Sequence, residues 1–412
     1  MAEFRILSLD GGGSWALIQV MTLIELYSRA GDGSDVMGHD VLGKFDLIAG
    51  NSGGTLTLAG LIKNWSLSDL LGFFLKQSMR QQIFVKASVL TDPIAHITNL
   101  VNFGPKYDAA AKLRGLQNVL GADANLAVSN VPAKIGPGYG GRLPHVLFCG
   151  FNYDTNRETF FRSDTASLAA SRATSLPMTV AQAVHASSTA PLNYFDAPAK
   201  GPQHSRWWDG AVGGYNNPVL AAVIEALANQ NRYATDAASI KALSIGTGNV
   251  ALPISNGSAD EDPDLVAQRE NSTMLADVKK MATSILDDPP DAATFHAHMM
   301  LGCPLPGPAD TLPVGSRIIR LNPLIQPVRD ADKHWTYPAG MDRDAFVFIR
   351  DLDMDAVDQP QVEAIQAFCK LWIADAVPNQ PVRANSADLT PEIGFGRFTP
   401  ARSIAMQWFG GV

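Results

Sequence analysis

Residues 45–63 read FDLIAGNSGGTLTLAGLIK, and this stretch decides the fold. The pattern predicts a strand over residues 45–49, a tight turn at GNSGG (residues 50–54) and an apolar helix that runs to about residue 63. A G-x-S-x-G turn between strand and helix is so tight that the residues flanking the serine must lack side chains. It places the serine hydroxyl at the helix N-terminus, where free N–H groups stabilise negative charge. Ser52 is therefore a candidate nucleophile.

The pentapeptide alone is weak evidence for catalysis. Glycine accounts for 35 of the 412 residues, and the chain contains many serines, so a chance match is easily found. The alternative is a tight strand-to-helix turn with an incidental serine. The strand before the turn and the helix after it are the context that the mechanism requires, and they favour the catalytic interpretation.

The same strand, glycine turn and helix occur once before. Residues 4–9 predict a buried strand, residues 10–13 read DGGG, and a helical pattern follows from about residue 15 to 29. Two such units within the first 65 residues are typical of a parallel α/β architecture. Further strands are predicted at residues 145–151, 159–162, 242–245 and 317–321, and further helices at about 217–229, 263–286 and 360–375.

The chain has no repeat and no obvious linker. We expect one large catalytic domain over residues 1–376, with residues 377–412 as an irregular tail packed on it, because that tail carries scattered proline and glycine without a convincing period. The longest run without a charged residue, 173–195, is interrupted by prolines and would make a poor membrane span. No secretory leader is readable at the N-terminus. We expect a soluble, cytoplasmic protein.

Charge and cysteine content exclude several classes of protein. The chain has 32 basic and 40 acidic residues, for a formal net charge of −8. Nucleic acid is thus not expected as the main partner, since such binding requires a basic surface. The three cysteines lie far apart, which argues against a disulfide scaffold and against a cysteine-based zinc site.

A serine nucleophile needs a base, and residues 206–212, RWWDGAV, offer one. Apolar residues lead into an Asp-Gly turn, which would place the carboxylate of Asp209 at the end of a buried strand. From there it could take the proton of Ser52 directly. The alternative is an ordinary turn, as the Asp-Gly dipeptide also occurs at residues 10–11 and 32–33. The eight histidines have no obvious catalytic partner, and we interpret them as structural.

The DGGG loop at residues 10–13 has three interpretations. Together with Ala16 it fits the dinucleotide fingerprint G-x-G-x-x-A, but that motif needs a second strand ending in an acid about 20 residues later. Residues 31–35 form a polar stretch instead, so the dinucleotide interpretation largely fails. The loop could instead donate glycine N–H groups to the oxyanion of a tetrahedral intermediate. It could also serve close packing only.

Taken together, the three blocks resemble the patatin-like phospholipase family. The family's DGGG loop, G-x-S-x-G turn and D-G-G/A motif appear in the same order as residues 10–13, 50–54 and 209–211. Two supporting blocks, residues 186–191 and 243–248, also match. The likeness extends over roughly residues 4–376, and three ordered motifs are far more specific than any one of them.

This resemblance implies a fold, a site and a substrate. The fold would be a three-layer α/β/α sandwich with a mainly parallel sheet. Ser52 would be the nucleophile and Asp209 the general base of a dyad without histidine. The oxyanion hole would be formed by four glycines, namely Gly11, Gly12, Gly13 and Gly53. The family hydrolyses acyl esters of phospholipids and other lipids and needs no metal or cofactor at the dyad. Peripheral contact with a lipid surface would follow from such a substrate, and the oligomeric state stays open.

The sequence departs from the family at one place. After DGGG and one variable residue the family usually has Arg or Lys and then Gly, whereas this chain has Trp15 and Ala16. The missing cation bears on head-group recognition, which leaves two alternatives to a phospholipase. One is a carboxylesterase or acyltransferase that uses the same dyad on non-lipid substrates. The other is a catalytically silent lipid-binding protein whose site is blocked by Trp15. The apolar stretch 65–103 is either a wall or lid for the acyl chain, or ordinary core.

Overall fold

The computed structural model describes residues 3–28, 35–87, 105–164, 177–191, 194–258, 261–268, 291–305, 315–382 and 393–410. Within them a large sheet is covered by helices on both faces. The strands, in chain order, are β1 Phe4–Leu9, β2 Leu47–Gly50, β3 His145–Asn152, β4 Arg157–Arg162, β5 Ala199–Lys200, β6 Arg206–Asp209, β7 Ile240–Ile245, β8 Asn249–Val250, β9 Ile318–Leu321, β10 Leu324–Ile325, β11 Val328–Arg329 and β12 Trp335–Thr336.

The main sheet has the strand order β5-β6-β3-β2-β1-β7-β9, with β4 paired to β3. Its centre is parallel, because β1 pairs with β2 and β7, β2 pairs with β3, and β7 pairs with β9 in that sense. The strands β4, β5 and β6 add antiparallel pairings at one side. The register places Gly50 and Ile245 beside Leu9. The loops that follow β1, β2 and β7 therefore leave the same edge of the sheet, where α/β folds place their ligands.

Helices flank this sheet. They are α1 Leu17–Tyr27, α2 Gly38–Leu42, α3 Gly53–Ile62, α4 Leu67–Leu75, α5 Gln77–Ile83, α6 Ala109–Leu120, α7 Val131–Ile135, α8 Val180–Ser187, α9 Val219–Ala228, α10 Gln230–Tyr233, α11 Arg343–Arg350, α12 Gln359–Ile373 and α13 Phe398–Phe409. Residues 291–300 are helical as well. None of the helices in the described residues combines the length and the apolar character that a bilayer span requires.

Strand β1 explains why the sheet is covered on both faces. All six of its residues are buried, as expected for a central parallel strand. Phe4 and Ile6 belong to the apolar layer that contains α9, and Leu7 and Leu9 belong to the layer that contains α1 and α3. The alternation along one strand thus supplies two separate cores. The predicted three-layer α/β/α sandwich with a mainly parallel sheet is confirmed.

The sequence pattern predicted most strands of the main sheet and the helices α1, α3, α9 and α12, with boundaries that shift by a few residues, and it did not predict α6 or α8. The second strand begins at Leu47 rather than residue 45, and the first helix is preceded by a short 3-10 turn, Gly13–Ala16. The predicted helix at 263–286 is absent over residues 263–268, and its remaining part lies largely outside the described residues.

The C-terminal tail differs from the expectation of irregular structure. Residues 398–409 form α13, whose buried side chains include Phe398 and Phe409. The ring of Phe409 lies 5.4 Å from that of Phe45, which is two residues before the start of β2. Its pattern was hard to detect because arginine, glutamine and proline interrupt the apolar positions. The division at residue 376 remains a prediction.

Candidate active site

Ser52 occupies a strained turn between β2 and α3. Its backbone has φ 46° and ψ −120°, a conformation that non-glycine residues rarely adopt. The turn is possible because both following residues are glycine. A Cβ atom on Gly53 would lie 2.5 Å from the carbonyl oxygen of Gly13, and one on Gly54 would lie 2.2 Å from that of Leu9. The local sequence therefore places Ser52 at the N-terminus of α3 and close to the glycine loop.

The hydroxyl of Ser52 lies beside the carboxylate of Asp209 and is one of the groups that lower the pKa of that carboxyl. Asp209 ends β6, is buried, and pairs in register with Gly150 of β3. Its Oδ1 atom accepts two hydrogen bonds, from the side-chain amide of Asn51 at 2.9 Å and from the backbone N–H of Ala211 at 2.9 Å. The carboxylate is thus held in one orientation beside the serine.

The environment of Asp209 shifts its acidity in two directions. Burial raises the pKa of Asp209, because desolvation disfavours the charged form. Hydrogen bonds from Ala211, Ser52 and Asn51, and the charge of Lys112, lower this pKa without cancelling the effect of burial. The net direction is upward, towards the range where a carboxylate works as a general base near neutral pH.

The glycine loop lies directly against the serine turn. The N–H of Gly11 donates to the carbonyl oxygen of Asn216 at 2.8 Å, so this group already has an acceptor. Within the part of the chain that the structure describes, no acceptor is recorded for the N–H groups of Gly12, Gly13 or Gly53. Gly12 has φ 152° and Gly13 has φ 56°, values that suit glycine and not other residues. Gly13 and Gly53 both line the cavity at Ser52.

The cavity at Ser52 is small. Its volume is about 20 Å³, room for about one water molecule. Ile83, Phe84 and Met354 are among the apolar residues that line it. A groove of about 810 Å³ lies beside it and shares Phe84 and Asp355 with its wall.

The segment of residues 353–354, called the roof from here on, is hydrogen-bonded to the residues that follow the glycine loop. The carbonyl oxygen of Met354 accepts a hydrogen bond from the N–H of Ser14 at 3.0 Å. The indole Nε1 of Trp15 donates to the carbonyl oxygen of Asp353 at 3.1 Å. The Trp15 ring packs edge-on against Phe368, with centroids 6.3 Å apart, and is buried. Trp15 is not among the residues that line the Ser52 cavity. It supports the roof.

Asp10, which begins the glycine loop, forms a buried ion pair. Its Oδ2 atom lies 2.6 Å from Nη2 of Arg320, and both side chains are almost fully inaccessible to solvent. Nη1 of Arg320 donates to the hydroxyl of Ser244 at 2.8 Å. Burial raises the pKa of Asp10 to about 6, although the charge of Arg320 and its hydrogen bond lower it. The pair joins β9 to the end of β1 at the site.

We expect Arg320→Met to reduce the free energy of unfolding by about 3–5 kcal/mol at neutral pH, since Asp10 then stays buried without a compensating charge. A raised carboxyl pKa means that the folded state binds the proton more tightly, so stability falls as pH rises from about 4 to about 6. Without Arg320 this loss of stability extends to higher pH. The free energy of unfolding of the variant should therefore be closer to that of the unmodified protein at pH 5 than at pH 8.

Urea unfolding at these two pH values measures the effect. The control is Arg206→Met, which breaks the exposed ion pair with Asp154 and should cost at most about 1 kcal/mol. Equal losses of stability for the two variants would contradict a special role for the buried pair.

The residues singled out from the sequence come together in space. Ser52, Asp209 and the glycine loop meet at one edge of the sheet, and the described hydrogen bonds include none between a histidine and Ser52. Sequence reasoning gave no role to four further residues at the site, namely Asn51, Lys112, Thr189 and Arg320. Lys112 could have been noticed, because it shares one face of α6 with buried Ala109, Leu116 and Leu120.

The apolar stretch 65–103 was expected to be either ordinary core or a wall of the acyl-chain site, and the structure places some of its residues in each. Phe73 and Phe74 are buried in the core, as ordinary packing requires. Ile83 and Phe84 line the Ser52 cavity, and Phe84 also lines the larger groove. Residues 88–103 lie outside the described part of the chain.

Comparison with known proteins yields one family and several relatives. The model of the family described as patatin-like phospholipase matches residues 7–223, which is more than half of the chain. An intracellular phospholipase A2 from Caenorhabditis elegans is 38% identical over 69 residues, and the chain spans only 6% of that protein's length and 17% of its own.

Two solved structures also match this chain. The crystal structure of VipD from Legionella pneumophila shares 11% identity, with a TM-score of 0.36 over 89% of this chain and 67% of that one. Human GIVD cytosolic phospholipase A2 shares 15% identity, with a TM-score of 0.22 over 39% of this chain and 22% of that one.

Proposed function

The chain belongs to the patatin-like phospholipase family, and from this premise we propose that it is a serine acyl hydrolase that releases fatty acid from phospholipids or related lipid esters. One observation carries the proposal beyond family membership: the hydroxyl of Ser52, on a strained strand-to-helix turn, lies beside the buried carboxylate of Asp209, which Asn51 and Ala211 hold in place. This is the contact that direct general-base activation of a serine requires.

The proposed reaction has two steps. Asp209 takes the proton of Ser52 as Oγ attacks the ester carbonyl, and returns that proton to the leaving alcohol when the tetrahedral intermediate collapses to an acyl-enzyme. Asp209 then removes a proton from the water that attacks the acyl-enzyme, and it returns this proton to Oγ of Ser52 when the second tetrahedral intermediate collapses and the acid leaves. Asn51 and the N–H of Ala211 hold the carboxylate oriented during both steps.

The developing oxyanion requires N–H donors that have no other acceptor. Gly12, Gly13 and Gly53 meet this condition among the described residues, and Gly13 and Gly53 line the cavity. Gly11, which we also expected as a donor, is bonded to Asn216. We assign Gly11 to the shape of the loop instead: a Cβ there would lie 2.9 Å from Cβ of Ser52.

A lipid substrate suits the surroundings of the serine. Apolar side chains, including Leu56, Ile83 and Phe84, line the Ser52 cavity. The adjoining groove of about 810 Å³ is lined in part by Val85, Val347 and Phe348 and shares Phe84 with that cavity. An acyl chain lying in this groove would bring its ester towards Ser52 once the shared wall opens. The proposed substrate class is therefore an ester with a long acyl chain.

The test is fatty acid release by the unmodified protein from mixed phospholipid and monoacyl-lipid micelles, together with labelling by a fluorophosphonate probe. We expect both release and labelling. Turnover restricted to short soluble esters would move the assignment to a non-lipid esterase. A folded protein that neither releases acid nor reacts with the probe would refute the hydrolase and favour the silent binding protein.

A further inference from the structure

Lys112 is a buried cation beside the proposed dyad. It lies in the first turn and a half of α6, after the N-cap Asp108, and is 1% exposed. Lysine is almost never fully buried unless it is paired, and a cation near a helix N-terminus is also disfavoured by the helix dipole. Lys112 nevertheless lines the cavity at Ser52. A position so unfavourable for a lysine requires a compensating partner.

The contacts of Lys112 lead to Asp209. Its Nζ donates to the hydroxyl of Thr189 at 3.2 Å, and the backbone carbonyl of Thr189 accepts the N–H of Asp209 at 2.9 Å. One residue therefore holds both the ammonium and the backbone of the acid. Nζ also lies 4.3 Å from the ring centroid of Phe195, a cation–π contact that fixes it further. The ammonium has a defined place in the wall of the site.

The other titratable groups around the pair do not replace this cation. Burial and the charge of Lys112 hold the pKa of His185 well below its usual value, so that ring stays neutral. Burial and the charge of Asp209 raise the pKa of the Cys149 thiol, which stays protonated. Asp355, on the far wall, is bonded to Tyr107 and Lys106.

The attraction between Lys112 and Asp209 acts on both groups. Burial lowers the pKa of Lys112 well below its usual value, and the charge of Asp209 opposes part of that effect. Burial raises the pKa of Asp209, and the charge of Lys112 opposes part of that effect. Each charge therefore favours the charged form of the other group, against a desolvation that is the larger effect on both.

We propose that Lys112 is a positioning residue for the proposed hydrolysis: its side chain, held by Thr189, whose carbonyl oxygen also accepts the N–H of Asp209, favours the carboxylate in the orientation that can accept the proton of Ser52. The inference rests on the proposed function. During the reaction the Ser52 proton moves to Asp209 and then to the leaving alcohol, and Lys112 keeps its own protons throughout. The lysine touches neither the ester nor the attacking oxygen in this scheme.

The variant that tests the proposal is Lys112→Gln, which retains an N–H donor for Thr189 but removes the charge. Without the cation, one of the effects that oppose burial at Asp209 is lost, and the acid limb of the pH profile of kcat/KM should move up by about one pH unit. Activity relative to the unmodified protein should then be about tenfold lower at pH values below both limbs and should recover above them. Lys112→Arg, which keeps the charge, should restore the original limb.

The matched control is Lys200→Met, which removes an exposed lysine of β5 that lines neither the Ser52 cavity nor the larger groove, and it should leave the limb unchanged. A second readout is independent of activity: the pH midpoint of the ¹³Cγ NMR signal of Asp209, identified by its loss in Asp209→Asn. This midpoint should rise in Lys112→Gln by the same amount as the acid limb. The same NMR spectra also show whether each variant is folded.

The outcomes separate the two proposals. A uniform loss of activity at every pH, with the NMR midpoint unmoved, would overturn the role of Lys112 and leave it a structural residue. A raised midpoint in Lys112→Gln, together with no ester hydrolysis by the unmodified protein or any variant at any pH, would reject the hydrolase itself while confirming the charge coupling. A parallel shift of limb and midpoint, reversed by Lys112→Arg, supports both.

Discussion

Ser52→Ala is expected to reduce fatty acid release by a factor on the order of 10⁴ or more and to abolish labelling by a fluorophosphonate probe. The reason is chemical: the hydroxyl that would form the acyl-enzyme is removed, and no other group at the site takes over its bond to the acyl carbon. The fold should persist, because a small side chain at the same turn is replaced by one still smaller. Thermal unfolding would show this.

A matched serine is available as the control for this prediction. Ser188 lines the same cavity, but its hydroxyl donates to the carbonyl of Val184 at 2.5 Å rather than to Asp209. Ser188→Ala should keep activity within a few fold and should still be labelled. Labelling that survives in Ser52→Ala but disappears in Ser188→Ala would place the nucleophile elsewhere.

Asp209→Asn is expected to lower kcat/KM by roughly 10⁴ while leaving lipid binding intact. The amide oxygen can still accept the hydrogen bonds of Asn51 and Ala211, which holds the side chain in place. The amide NH₂ group would then occupy the other position, and it cannot accept the proton of Ser52. Substrate binding, measured by titration of a fluorescent lipid, reports on the pocket separately from chemistry.

Asp355→Asn is the matched control, since Asp355 lines the same cavity and is bonded to Tyr107 and Lys106 instead of to the serine. It should reduce kcat/KM by at most about tenfold. If both aspartate variants lost activity equally, or if Asp209→Asn kept most of it, the direct-base mechanism would be wrong.

The local sequence was sufficient to predict those elements whose backbone geometry depends on residue type alone. Strand, glycine turn and helix at residues 45–63 follow from residue type alone, since only glycine fits beside Ser52. The placement of Asp209 next to Ser52 was predicted through the family motifs, because the two residues are 157 positions apart and only the sheet register joins them.

The remaining parts of the site depend on packing between distant segments. Lys112, Thr189 and Arg320 acquire their roles through neighbours on other elements, which no local pattern encodes. The departure at Trp15 shows the same limit. From sequence it raised the prospect of a blocked site, whereas the ring is buried beside Phe368 and bonded to Asp353, outside the Ser52 cavity.

The attachment of the roof to the glycine loop sets a thermodynamic condition on substrate entry. The Ser52 cavity holds about one water molecule, so an ester can enter only a conformation in which part of the cavity wall, such as the roof, has moved. Because the carbonyl of Met354 is bonded to the N–H of Ser14, moving the roof also strains the loop that would bind the oxyanion. Apparent affinity is then the intrinsic affinity multiplied by the fraction of molecules in the open conformation. Substitutions that weaken the roof would tighten apparent binding and slow the chemical step, which is a trade-off between access and preorganisation.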